Sequence, residues 1–340
     1  MLFRRARVGG AVAVVALAAA ACGAGADDPA GAPSPSAPAS TQAPLGTLPA
    51  TDGRTTSIRL QVDLGGTPCG VAVAAGAVWV SLADTAELVR LDPVTGENTG
   101  RVELSATPCE ITATEDSLWV VTQSGVVDRV DPAVPALVSS VPTGPASYQA
   151  AEAFGSIWVT NRNGQSVTRI DPLTEETSTI ELPGTNAGGI AEAGGALWVG
   201  DDATGSTRIL RLDPVSLETT VVEVGGDRPA YLTSTGDTVW VSRVRSGSVV
   251  AVDADTATTV GEPVPAGEMP VNLHASPDGR WVWVPDDRSD FITRIDTSTG
   301  EAVERLLVGD GPAVVAPTDD GVWVTNFGDG TVWYLATEDG

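Results

Sequence analysis

Short apolar runs recur along residues 57 to 340, and pieces rich in Gly, Asp and Thr separate them. This is the spacing of strands and tight turns, not of helices. The runs come in sets of four, and one tryptophan marks each set: Trp79, Trp119, Trp158, Trp198, Trp240, Trp283 and Trp323. Successive gaps are 40, 39, 40, 42, 43 and 40 residues. Each Trp is followed by Val, and each of the first six precedes an apolar–Asp pair such as Leu91-Asp92 or Ile170-Asp171. A period near 40 in a strand-and-turn chain means one four-stranded unit per repeat, stacked around an axis. Seven units predict an all-β fold, a closed seven-bladed β-propeller over residues 57–340.

Within a repeat the four strands are legible. In the first repeat they are Pro68 to Val73, Ala77 to Val80 with the Trp, Glu87 to Asp92, and Thr99 to Leu104. Asp-Pro-x-Thr-Gly, at Asp92 to Gly96, is turn chemistry. Seven equivalent tryptophans are expected to plug the gaps between blades, because burying an indole contributes several kcal/mol. The chain ends check the count. Ser57 to Val62 matches the fourth-strand phrase Glu304 to Val308, and the chain finishes on a third strand, Thr331 to Leu335. Pairing the spare N-terminal strand with the incomplete last blade closes the ring and hides both edges.

The first fifth of the chain does not share this pattern. Arg4, Arg5 and Arg7 precede an uncharged run, Val8 to Ala21, and then Cys22. The run is shorter than the roughly 20 residues of a spanning helix, and its layout is that of an export signal. Residues 1–21 are expected to be that signal. Residues 22–56, rich in Ala, Pro, Ser and Thr, bury too little to order themselves and are expected to form a tether.

The net charge is −25, and all 19 basic residues are Arg. Such an acidic chain repels phosphate backbones, which excludes nucleic acid as a partner class. After Cys22 only Cys69 and Cys109 remain, at the same place in adjacent repeats. Two thiols in an exported chain lean towards a disulfide; the other reading is two small buried hydrophobes.

Three resemblances follow from these residues. Leu17 to Gly23 resembles a bacterial lipobox, with Ala19 where Leu is usual, which implies a lipid on Cys22 and anchorage at the outer face of the cell membrane. Ile157-Trp158-Val159-Thr160-Asn161 and Val322 to Asn326 resemble the YVTN repeat with Trp in place of Tyr. Arg90 to Gly96 and Arg294 to Gly300 resemble streptogramin-lyase-type and quinoprotein-type repeats. These motifs describe blades, not chemistry. The lyases, as that resemblance implies, use more than one His with a divalent cation. His274 is the one histidine here, so a multi-His metal site is excluded. Quinoproteins of this kind have eight blades. No cofactor is therefore expected.

Where the repeats disagree, recognition is expected. Loops before the first strand and after the second share one face and surround the channel mouth. That face gathers Glu110, Tyr148, Gln149, Arg162, Arg228, Tyr231, Arg243, Arg245, Asn272, His274 and Arg288. Arg and Tyr are common interface anchors. The expected function is a monomeric, lipid-anchored binding or scaffold module without catalysis, whose partner is a protein or glycan of the cell envelope. The alternative is a lyase- or hydrolase-type enzyme at the mouth, with His274 as base and Glu110 or Asp286 in support. The anchor is testable first: Cys22→Ser should move the protein from the membrane fraction to the medium in a fractionation immunoblot. Unchanged membrane partition would place the anchor elsewhere.

Overall fold

The computed structural model describes residues 47–339. The leader, Cys22 and most of the tether lie outside the described residues. Seven four-stranded antiparallel sheets form seven blades, numbered 1 to 7 from Trp79 to Trp323. In blades 1 to 6 the strands run from the innermost to the outermost in chain order, and the inner strands of successive blades pack side by side around the axis. The predicted seven-bladed β-propeller is the fold.

Each of the seven tryptophans is buried, at 2% exposure or less. Trp79 packs with Ile111, Leu118 and Val120 of blade 2, Trp158 with Ile190 and Val199 of blade 4, and Trp323 with Val71 and Val80 of blade 1. Every indole thus fills the gap to the next blade, the last one included. In three blades the polar edge is satisfied locally: Trp79, Trp158 and Trp198 donate Nε1–H to the carbonyls of Ala74, Ala153 and Ala193 at 3.0–3.2 Å. On the neighbouring strand an Arg lies opposite, with the guanidinium of Arg90, Arg129 and Arg169 5.9, 5.3 and 5.4 Å from the ring centre. Such cation–π contacts add about 0.5–1 kcal/mol each at exposed sites.

A hydroxyl two residues after the Trp ties blades together at the axis. Ser81 Oγ accepts from Gly70 N at 2.8 Å and donates to Cys109 O of blade 2 at 3.4 Å. Thr325 Oγ1 accepts from Val314 N at 3.1 Å and donates to Cys69 O of blade 1 at 2.9 Å. These bonds fill the backbone groups left open by a β-bulge near the start of the inner strand, present in six of the blades.

The ring closes as expected. Strand Arg54–Asp63 is the outermost strand of blade 7, paired antiparallel with Thr331–Asp339 from Arg54↔Asp339 to Asp63↔Thr331. The folded chain reaches further back than residue 57, however. Leu48 exchanges both backbone hydrogen bonds with Arg305 of blade 6, and Thr51 N donates to Val303 O at 3.0 Å. Residues 48 to 51 therefore cover the outer strand of blade 6 before the chain crosses to blade 7. A carboxylate explains the extension. Arg294 of blade 6 is 0% exposed, pairs with both Asp52 and Glu304 at 3.0 Å, and lies 4.5 Å over the Trp281 ring. Thr56 Oγ1 donates to the same Glu304 at 2.6 Å. Composition could not reveal this, because backbone pairing and one Asp hold the segment rather than an apolar run.

Asp52→Ala leaves a buried guanidinium with one carboxylate instead of two. Removing one partner of a buried pair costs about 3–5 kcal/mol, and the remaining Glu304 should reduce that to about 2–3. Urea unfolding should show this loss; a change under about 0.5 kcal/mol would mean the seam does not depend on Asp52.

Candidate functional site

The residues expected at the mouth divide into two groups. Glu110, Tyr148, Gln149, Arg228, Tyr231 and Asn272 are buried, each at 8% exposure or less. Their expected role as an exposed face is corrected: the inner strands converge on the axis, so long side chains from different blades meet across the channel and fill it. Gln149 Nε2 of blade 3 donates to Asn272 Oδ1 of blade 6 at 2.7 Å, and Asn272 Nδ2 donates to Ala313 O of blade 7 at 3.1 Å. The hydroxyls of Tyr148 in blade 3 and Tyr231 in blade 5 hydrogen-bond, with ring centres 6.0 Å apart. The plug needs small neighbours. A Cβ on Gly189 would lie 2.7 Å from Gln149 Oε1 and 2.8 Å from Leu232 N, and one on Gly70 would lie 2.7 Å from Cys109 O.

Above the tyrosines sits an ion cluster centred on Asp202, a rim residue that the expected binding set did not include. Asp202, 3% exposed, pairs with both Arg162 and Arg228. The Arg162 guanidinium also lies 4.8 Å over the Tyr148 ring. Burial is the main influence on both tyrosines: it pushes Tyr231 up to about 12 and Tyr148 upward as well. Both phenols therefore stay protonated and act as hydrogen-bond partners. The signal for Asp202 was its place after Asp201, level with Asn161-Arg162 and Asp286-Asp287 in other repeats.

A small cavity, about 200 Å³ of empty space including its open side, is lined by Cys69, Cys109, Glu110, Tyr148, Gln149, Asn272 and Val314. Burial pushes the Glu110 carboxyl from 4.5 up to about 7, with hydrogen bonds from Ile111 and Gln149 acting against it. His274, one layer deeper, has Nε2 3.9 Å from Glu110 Oε1, beyond hydrogen-bond length. Its side chain is 37% exposed, yet Nε2 itself is shielded and has no hydrogen-bond partner. The shielding of that atom lowers the imidazole to about 4, which keeps it neutral at pH 7.

The two cysteines lie in one buried cluster with Ala83. The predicted Cys69–Cys109 bridge is not formed: Cys109 is a thiol, which burial pushes up to about 12.

Asp286 is not part of this group. It is fully buried and accepts backbone N–H bonds from Glu268, Met269 and Arg288 at 2.7, 2.8 and 3.2 Å, so it holds its loop. Asn161 does the same for Gly144 N at 3.0 Å.

The second group stays accessible. Arg245 and Arg288 are exposed, and Arg243 is half-buried. Arg243 bonds only uncharged acceptors, Ser248 Oγ at 2.9 and 3.2 Å and Val224 O at 3.4 Å. Among the described residues no carboxylate forms an ion pair with it, and burial lowers its pKa without any offsetting charge. With the partly exposed Arg162, these side chains make an arginine-bearing sector of the mouth face over blades 3 to 6. Among the described residues no group of three or more His, Cys, Asp or Glu is arranged to hold a metal ion.

Solved structures with similar architecture include a streptogramin B lyase, at TM-score 0.72 and 16% identity over 84% of this chain and 98% of that one. Hydrazine synthase of Kuenenia stuttgartiensis superposes at TM-score 0.69 and 15% identity over 83% and 98%. No protein-family model and no curated protein matches the chain. Likeness at this identity carries the seven-bladed propeller alone.

Glu110, in the cavity wall, and the neighbouring His274 predict a pH dependence. Glu110 binds its proton more tightly folded than unfolded, so its contribution is present at low pH and lost as pH rises from about 4.5 through about 7. His274 acts oppositely: its folded value is depressed, so stability is lost as pH falls from 6.5 toward about 4. Glu110→Gln removes the first effect and keeps the second. Between pH 4.5 and 8, wild type should lose on the order of 3 kcal/mol relative to the variant in urea unfolding. A constant difference across that range would refute a buried, proton-holding Glu110.

Proposed function

We propose that this protein is a non-catalytic binding module, carried at the outer face of the cell membrane by a lipid on Cys22. It presents the arginine sector of its mouth face to a protein or glycan bearing carboxylate groups. The observation that carries this reading is Arg243: a half-buried guanidinium, beside exposed Arg245, that has only neutral hydrogen-bond acceptors in a chain of net charge −25. In so acidic a molecule an arginine without an internal carboxylate has a counter-charge to gain from outside. Distant acids do not cancel the sector, because charges are screened over about 8 Å at physiological ionic strength. Guanidinium groups bind carboxylates through paired N–H donors, which gives geometric selectivity as well as charge.

The alternative of an enzyme at the mouth draws support from one feature, the Glu110–His274 pair beside the small cavity. The cavity is walled by side chains bonded to each other, and Asp286 is committed to its loop. The binding reading accounts for more of the face.

The probes are immobilised polygalacturonate and a poly-Glu peptide, with dextran as the neutral control. Wild type should retain both anionic probes and not dextran. Arg243→Gln combined with Arg245→Gln should weaken retention tenfold or more, about 1.4 kcal/mol, with an unchanged melting temperature. Equal retention of dextran, or an unaffected double variant, would overturn the assignment.

A further inference from the structure

The hairpins between third and outer strands carry a second pattern, which the mouth face does not absorb. Strands alternate in direction within a blade, so these hairpins lie on the face opposite the mouth. In six blades the hairpin is built alike, on an Asp whose carboxylate accepts backbone N–H groups two or three residues on. Asp92 accepts from Val94 and Thr95, Asp131 from Ala133 and Val134, Asp171 from Leu173 and Thr174, and Asp213 from Val215 and Ser216. Asp253 and Asp296 do the same in blades 5 and 6. These backbone bonds hold the carboxyls of Asp92, Asp171, Asp213 and Asp253 below their usual value.

The tips on this shared frame differ in chemistry. In blades 1, 3 and 4 the tip is Val94, Leu173 and Val215, at 79%, 90% and 90% exposure, and blade 2 has Val134 one place later at 67%. Blades 5 and 6 have Asp255 and Ser298 at the tip. The turn therefore does not require an aliphatic residue, since the same carboxylate staple forms under a polar one. Single exposed aliphatics are ordinary; four in consecutive blades form an arc. Three residues after three of the tips stand Glu97, Glu176 and Glu218, all exposed and none in an ion pair among the described residues.

We propose that this arc of Val94, Val134, Leu173 and Val215, with its flanking glutamates, docks another protein. The occupant presents apolar side chains interspersed with Lys or Arg, as on one face of a basic amphipathic helix. The charges select this occupant. A second copy of a chain at −25, or an anionic bilayer, brings like charge against the glutamates, whereas a basic surface pairs them while the aliphatic tips are covered. The surface is separate from the arginine sector, on the other side of the ring, and does not depend on it.

The experiment titrates the purified full chain with two synthetic 18-residue peptides of equal charge, one Leu/Lys and amphipathic, the other Ala/Lys, at physiological ionic strength. Wild type should bind the Leu/Lys peptide at least tenfold tighter. Replacing Val94, Val134, Leu173 and Val215 together by Ser should abolish that preference, and Leu173→Ser alone should reduce it about threefold. Glu97→Gln with Glu176→Gln and Glu218→Gln should weaken both peptides. Equal affinity for the two peptides, or a preference that survives the Ser substitutions, overturns the proposal. So does a dimer in sedimentation velocity, or cosedimentation with phosphatidylcholine or phosphatidylglycerol vesicles, that the Ser substitutions abolish. Failure here leaves retention of the carboxylate probes, a separate measurement, untouched.

Discussion

The indole packed between each pair of blades is the contact on which the rest of the ring depends. A four-stranded blade cannot bury both its faces alone, and each blade's tryptophan closes the gap to the next, from Trp79 against blade 2 round to Trp323 against blade 1. Burying a ring of that size contributes several kcal/mol, and it also sets how far apart the blades stand. With that spacing set, the seven inner strands are forced together at the axis. The hydroxyls of Ser81 and Thr325 then take up the slack, bonding their own blade's bulge and the next blade's carbonyl.

Convergence at the axis decides the character of the channel. A Tyr or Gln there has no solvent to extend into and meets its counterpart from another blade. Tyr148 and Tyr231, and Gln149 with Asn272, therefore act as a polar plug in which each group satisfies another. Fully satisfied buried networks of this kind hold a single arrangement, whereas leaving one donor or acceptor unpaired costs about 1–3 kcal/mol. Diversity among the blades at this layer consequently serves packing. Diversity at the loop ends, where Arg243 and Arg245 reach solvent, and at the opposite hairpin tips remains for partners.

Closing the ring is a separate problem, solved on the outside. The N-terminal segment supplies the outer strand of blade 7 and also Asp52, which meets the buried Arg294 of blade 6. Strand pairing joins the termini within one blade, and the ion cluster of Arg294, Glu304 and Asp52 ties that blade to its neighbour. The two devices act on different seams, so residues 48–63 and the last described strand are held by more than one sheet edge.

The blade count, the closure by the N-terminal strand and the plugging role of the tryptophans were all legible in the sequence. Each rests on a period or a complementary stump, and periodic burial is written directly into residue order. The Asp-Pro turns were legible for the same reason, since Asp92 bonds residues only two and three places on. What lay beyond sequence were meetings across the ring. Gln149 and Asn272 are separated by 123 residues, and Asp52 and Arg294 by 242. Tyr231 resembled an exposed anchor because its type and loop-side position suggested one; only the convergence of seven strands made it 1% exposed. Cys69 and Cys109 looked paired because they are adjacent copies, yet Cys109 is a buried thiol, so equivalence along the chain did not make a bond. Local order records which surface of a strand is buried, but which distant side chain fills the space beside it is set by the geometry of the closed ring.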